Sequence, residues 1–356
     1  MNLDRLISWL GGSDEAALIT SGVSKRYLTD FGSEDGTMLV TKNGGYFIID
    51  ARYFEHTEQQ VTDPLCKVIL QDNLYEQLGA IIVENGIKRV YIEDERLTVS
   101  ELSAYKRRFP DIVFDDSNRL SDCLGQMRII KTDQEIACIT KAQRIAEAAF
   151  TKLLSNMRVG QTEKQIAAAL EFFMLEMGSD GVSFETIAAS GVNSACPHAV
   201  PTDKPVQEGD FLTLDFGATY KGYHSDMTRT VVFGKPTEEM KNIYNAVWGA
   251  NSDGIKAVKA GISGKLVDSV ARSTLDAWGY EEYFTHGLGH GVGLEIHEAP
   301  NLNSRSGTTL REGMIVTIEP GIYIPGKYGV RIEDMCVVTT DGCKIITETP
   351  KTLIYI

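Results

Sequence analysis

What the sequence lacks narrows its function first. No run of its 356 residues is apolar for long enough to cross a bilayer. The opening MNLDRLISWLGGSDEAAL carries acids near its start and no sustained apolar core, so neither a secretory leader nor a membrane anchor is expected. Positive charge is scarce, with 35 Lys and Arg against 49 Asp and Glu. The resulting net charge of −14 disfavours the basic face that nucleic-acid binding needs. The six cysteines (Cys66, Cys123, Cys138, Cys196, Cys336 and Cys343) form no CxxC pair. In a chain this long that fits free thiols in a reducing cytoplasm better than a disulfide framework. Low-complexity segments are absent. Two common signatures are missing as well. His297-Glu298 does not continue into HExxH, because position 301 is Asn, and the glycines around 289 do not follow GxGxxG.

What is present suggests two domains, since 356 residues exceed one ordinary core. Residues 1–125 alternate short apolar runs with helical patterns, as in a small α/β domain. Strands are expected over 16–20, 37–40, 46–50, 67–70, 89–93 and 112–114, with a hairpin at Asn43-Gly44 and helices over 73–84 and 99–108. His56 is the only histidine there, and no catalytic cluster accompanies it. From residue 126 the pattern changes. Thr132-Asp-Gln-Glu135 and Thr162-Glu-Lys-Gln165 are capping boxes that open helices. Strands follow over 183–190 and 211–230. A second helix pair starts near Thr237 and Lys265, and strands return over 290–296, 314–319 and 330–338. Two helices followed by strands therefore occur twice, which predicts an α+β arrangement with helices on a curved antiparallel sheet.

The stretch FLTLDFGATYKGYHSDMTRT, residues 211–230, reads as a hairpin with one aspartate on each arm. Asp215 shares a face with Thr213, opposite Leu212, Leu214 and Phe216. Asp226 shares a face with Thr228 and Thr230. A turn at Tyr220-Lys221 would set Asp215 and Asp226 directly opposite, with Cβ atoms about 4.5–5.5 Å apart. Like charges so placed repel, and a divalent cation between them is the simplest remedy. Further histidines and acids sit where a core would not want them: His198 after a loop, His290 and His297 in HGLGHGVGLEIHE, Glu319 ending an apolar strand, and Arg331 with Glu333 in GVRIED. Four carboxylates (Asp215, Asp226, Glu319, Glu333) balance two divalent ions, with His290 neutral. Two such ions about 3.5–4 Å apart support hydrolysis of an amide.

These residues carry a resemblance. The order Asp, Asp, His, Glu, Glu within LDFG, HGxGHGVGLxxHE, TIEPGxY and GVRIED resembles the pita-bread metallopeptidases, most closely the Xaa-Pro aminopeptidases and prolidases. It covers residues 126–356. SKRYLTDF and IIDARY make residues 1–125 similar to the creatinase-type N-terminal domain. The resemblance implies a pita-bread fold with pseudo-twofold symmetry and a metal set of Asp215, Asp226, His290, Glu319 and Glu333. It implies that Glu319 shuttles a proton, that His198 and His297 bind the substrate carbonyl or oxyanion, and that Arg331 orients Glu333. It further implies two divalent ions (Mn first, with Co or Zn also fitting), proline-containing peptides as substrates, a homodimer and a cytoplasmic location. The other readings are a methionine aminopeptidase-like hydrolase and a non-catalytic pita-bread binding protein. The roles of His224 and His286 stay open at this point.

Overall fold

Hydroxyl side chains set where the long helices begin. At Thr132 and Thr162 each hydroxyl accepts from the backbone N–H three residues on, and Glu135 or Gln165 accepts from the threonine N–H in return. These boxes open helices Asp133–Leu154 and Glu163–Glu176. Thr237 and Ser263 cap helices Glu238–Ala257 and Gly264–Ala277. The computed structural model describes residues 2–356. The chain divides into two compact units, Met1–Arg128 and Ile129–Ile356.

The first unit is built on a six-stranded sheet. Its order is Cys66–Leu70, Gly44–Ile49, Thr37–Thr41, Glu15–Ile19, Arg89–Ile92, Val113–Asp115. The Asn43-Gly44 signal is realised as a tight hairpin with Thr41 opposite Gly44. Helices Leu74–Glu84 and Val99–Arg108 fall where the periodicity predicts. Helices Asn2–Trp9, Gly22–Thr29, Phe54–Gln60 and Arg119–Arg128 are additions. They span few turns, so their apolar spacing is too brief to stand out, and tertiary packing supplies their stability.

In the second unit each helix pair covers one sheet. One sheet runs Ile354–Tyr355, Met227–Val232, Phe211–Phe216, Ile187–Ser190. The other runs Glu298–Leu302, Gly289–Gly291, Ile315–Ile318, Asp334–Val338, Cys343–Ile345. Pairing is antiparallel apart from Met227–Val232 with Ile354–Tyr355. Leu212, Leu214 and Phe216 pack with Ile145, Phe150, Ile166 and Leu170. Val316 and Ile318 pack with Ile243, Val247, Val267 and Leu275. Burying such a side chain contributes about 1.5–3 kcal/mol, so the apolar faces are committed to the helices and the polar faces are left to meet each other.

Three strands differ from expectation. The strand expected over 183–190 is confined to Ile187–Ser190. The strand expected over 290–296 is confined to Gly289–Gly291, and the next begins at Glu298. Between them the Gly293 N–H donates to the Glu295 carbonyl and turns the chain. The strand expected over 330–338 breaks at Ile332-Glu333. Tyr328–Arg331 pairs with Gly321–Ile324, whereas Asp334–Val338 pairs with Ile315–Ile318. Among the described residues no helix is long and apolar enough to cross a membrane.

Candidate metal centre

The two aspartates do not stand opposite one another. Lys221 and Gly222, at φ 52° and 78°, occupy the turn, so Phe216 faces Met227 and Asp215 faces Thr228. The register is two residues from the expected one, because this turn takes positive φ at both central positions and Gly222 provides it more readily than Tyr220. Continuing that register sets Asp226 opposite Gly217, where the ladder is interrupted. Asp226 thus lies diagonally across from Asp215, and both line one cavity of about 330 Å³.

The second sheet brings the other donors to that cavity. Glycine is required on both sides of His290: a Cβ on Gly289 would lie 2.0 Å from the Thr317 carbonyl oxygen, and one on Gly291 would lie 2.3 Å from that of Ala299. The close approach holds the imidazole. The His290 backbone N–H is fixed as well, donating to Thr317 Oγ1 at 3.0 Å. His290 Nδ1 lies 3.0 Å from the Gly291 carbonyl, which fixes it as the donor and turns Nε2 into the cavity. Nε2 is 3.3 Å from Glu319 Oε1 and 3.6 Å from Asp226 Oδ2. Ligand atoms of Asp226, His290 and Glu333 all lie within 4.8 Å of one another.

Burial raises the carboxyls of Asp226 and Glu333 well above the usual range. Their acidic neighbours, Glu319 and Asp215 among them, add to the rise. Glu319 goes the other way. Burial works against its ionisation, but the hydrogen bond and positive charge of His290 outweigh it. His290 correspondingly rises, with burial overcome by Glu319. One oxygen of each remaining acid is held: Arg331 Nη2 donates to Asp215 Oδ2 at 2.5 Å, and Thr228 Oγ1 donates to Glu333 Oε2 at 2.8 Å. The other oxygens, Asp215 Oδ1, Asp226 Oδ1 and Glu333 Oε1, are buried with no hydrogen-bond partner among the described residues. Buried carboxyl oxygens without a partner are costly. Three of them beside an imidazole nitrogen fit a hard or borderline divalent cation.

Arg331 reaches Glu333 through Thr228, and its own ion pair is with Asp215. Its Nε donates to Thr228 Oγ1 at 3.1 Å, and Thr228 passes the hydrogen bond on to Glu333. Nη1 donates to Tyr323 Oη at 2.6 Å and to the Pro197 carbonyl at 3.2 Å. His198 and His297 are exposed and line the cavity, and the His297 ring meets that of His290 edge-on at 4.4 Å. His286 lines it too, with Nε2 2.9 Å from Tyr323 Oη. His224 is set back, 2.9 Å from Ser183 Oγ. Sequence reasoning missed Thr228 and Tyr323 as partners of Arg331. The period-two placement of Thr228 on the Asp226 face was the available signal.

The sequence pattern of metallopeptidase family M24 matches residues 137–340, and that of the creatinase/prolidase N-terminal domain matches residues 3–130. The chain belongs to metallopeptidase family M24. This M24 chain is 38% identical over 343 residues to an Xaa-Pro dipeptidase of Pyrococcus horikoshii, covering 96% of this chain and 95% of that protein. It is 36% identical over 367 residues to an Xaa-Pro dipeptidase of Lactobacillus delbrueckii subsp. lactis, covering 99% and 98%. Among solved structures, it matches an Xaa-Pro dipeptidase from Bacillus anthracis with a TM-score of 0.94 and 42% identity, covering 99% of each chain. An X-Pro aminopeptidase from Thermotoga maritima matches with a TM-score of 0.92 and 37% identity over the whole of both chains. An α+β pita-bread domain preceded in sequence by a creatinase-like N-terminal domain is thus the fold of this M24 metallopeptidase, and its family works with divalent metal ions.

Proposed function

We propose that this metallopeptidase is a two-metal exopeptidase that hydrolyses the bond between an N-terminal residue and a following proline, in small proline-containing peptides. The observation that carries the reading is the convergence of Asp215, Asp226, His290, Glu319 and Glu333 on one cavity, with three buried carboxylate oxygens left unpartnered. The names of the relatives support the proline preference. We take residues 126–356 as the catalytic domain and residues 1–125 as the creatinase-like domain.

In this reading Asp215, Asp226, His290, Glu319 and Glu333 hold the ions, Mn first with Co or Zn as substitutes. When bound, the ions would lower the pKa of water and polarise the scissile carbonyl. Glu319 lines the cavity with Thr317 Oγ1 donating to its Oε1 at 3.2 Å, a placement that suits a group that takes a proton and delivers it to the leaving nitrogen. His198 and His297 supply donors for the substrate carbonyl and the oxyanion that develops from it. Arg331 holds Asp215 Oδ2, which would leave Oδ1 to ligate an ion. Free thiols at all six cysteines support a cytoplasmic location. Family resemblance supports a homodimer, for which sedentation of the purified protein by ultracentrifugation is the check.

The test compares Ala-Pro, a longer Ala-Pro peptide and Met-Ala-Ser with Mn-loaded enzyme. Release of alanine from the proline peptides is expected, and turnover of Met-Ala-Ser alone would reject the reading. Asp226→Ala should abolish turnover and metal uptake together; full activity in that variant would contradict the ligand assignment.

A further inference from the structure

We propose that Glu163, which lies outside the cavity, is the positioning residue that holds the loop carrying His198 in its working conformation. The proposal rests on the reading of His198 as a donor to the substrate carbonyl. Glu163 begins helix Glu163–Glu176 and its side chain is fully buried. The helix does not need it as a cap, because Thr162 and Gln165 already serve there. The carboxylate instead gathers donors from both ends of the segment 190–202. Its Oε1 accepts from Ser190 N at 2.7 Å, Ser190 Oγ at 2.8 Å and Asn193 Nδ2 at 3.1 Å. Its Oε2 accepts from Asn193 Nδ2 at 3.0 Å, Thr202 N at 3.0 Å and Thr202 Oγ1 at 2.6 Å.

Burial opposes ionisation of this carboxyl, yet the bonds from Thr202 and Ser190 outweigh it and keep the group below its usual range. The clamp is therefore a charged one, stronger than neutral hydrogen bonds would be. Apart from the 3-10 turn Gly191–Ala195, the segment has no regular structure of its own to set His198. Its far side is fastened to the strand Tyr328–Arg331. Gly329 N donates to Ser194 Oγ at 2.8 Å, and Arg331 Nη1 donates to the carbonyl of Pro197, the residue before His198. The same guanidinium pairs with Asp215. Glu163 closes the base of the loop, and Arg331 ties its tip to the residue that holds a metal-facing carboxylate. Weakening the clamp loosens the segment between Ser190 and Thr202, whose ends stay anchored by the pairing of Ser190 with Leu212 and by the backbone bonds from Glu163 N to the Lys204 carbonyl and from Lys164 N to the Thr202 carbonyl; this shifts His198 without touching Asp215, Asp226, His290, Glu319 or Glu333.

The experiment measures kcat, KM and bound metal for the full-length, Mn-loaded chain and for Glu163→Gln, Thr202→Val, His198→Ala and the double variants Glu163→Gln/His198→Ala and Thr202→Val/His198→Ala. Gln keeps the shape of Glu163 but turns an NH2 toward one set of donors. The expected result is a loss of roughly 10- to 100-fold in kcat for Glu163→Gln, unchanged metal content, and a double variant no slower than His198→Ala alone. Thr202→Val should show a smaller loss that likewise vanishes when His198 is absent. A Glu163→Gln loss that persists undiminished in the His198→Ala background, or that follows loss of metal, overturns the proposal. Wild-type turnover by His198→Ala would instead remove the role read for His198, and this role for Glu163 with it, while the metal-ligand assignment stood. Should Glu163→Gln fail to fold, Thr202→Val decides through the same cycle with His198→Ala, and an unchanged kcat in that variant overturns the proposal.

Discussion

Asp226 and Glu333 are buried carboxyls whose acidic neighbours share the cavity, and His290 is an imidazole pressed against Glu319. In protein stripped of metal, these groups hold protons that the unfolded chain would release. Asp226 and Glu333 rise above 3.8 and 4.5, their ordinary values, and His290 rises above 6.5. A group whose folded pKa is raised loses its contribution to stability as pH climbs toward that raised value. Burial lowers His286, His297 and His224, and these act in the opposite sense, but only below 6.5. Glu319 is depressed and acts only in acid. Above about pH 6.5 the first three therefore dominate. Chelated protein should become less stable as pH rises from there toward the raised values, by about 1.4 kcal/mol per pH unit for each proton held. Metal-loaded protein should show the reverse slope, because binding displaces those protons. Urea midpoints at several pH values, with and without chelator, measure both. Parallel slopes would mean that these groups do not titrate with the metal.

The strands that carry the acids are pinned from behind. Asn251, on the helix Glu238–Ala257, donates through Nδ2 to the Ile318 carbonyl at 2.7 Å and the Ile332 carbonyl at 3.4 Å. These are the residues before Glu319 and Glu333, so one side chain spaces the two acids. Arg229 adds a bond from Nη1 to the Glu333 carbonyl at 2.5 Å and a buried ion pair with Asp334, which Lys351 completes. Asn251→Leu keeps the branched shape but strips those carbonyls of their donor and Lys351 of an acceptor. It should cost roughly 1–3 kcal/mol of stability and roughly 10- to 100-fold in metal affinity, read by denaturant titration and by calorimetry with Mn. Lost stability with unchanged affinity would show that Asn251 supports the core and not the spacing of the acids. None of this was legible in the sequence, where Asn251 is one polar residue in a helix whose apolar stripe is complete without it. The hairpin was half legible. Alternation assigned Asp215 and Asp226 to the polar face, but the register hung on which two residues adopt positive φ. The break after Arg331 was hidden for a related reason: Val330 to Val338 alternates well enough to read as one strand, and only competition between two partner strands divides it.

At the scale of the whole chain, the repeated order of two helices then strands predicted the two half-sheets of the second unit, because each half carries its own capping residues and apolar stripes. Composition had no access to the place where the polar faces meet. The first half contributes Asp215 and Asp226, and the second contributes His290, Glu319 and Glu333. An ion held by both halves links their stabilities, adding about 2.7 kcal/mol per site when free metal is a hundredfold above Kd. The first unit, with its own apolar cluster, supplies none of these ligands. Chelation should therefore raise amide hydrogen exchange in strands of both half-sheets, Phe211–Phe216 and Met227–Val232 together with Ile315–Ile318 and Asp334–Val338. Strands Glu15–Ile19, Thr37–Thr41 and Arg89–Ile92 should exchange as before. Exchange that rises in only one half-sheet would place the ion within that half, and the five residues would then not form one centre.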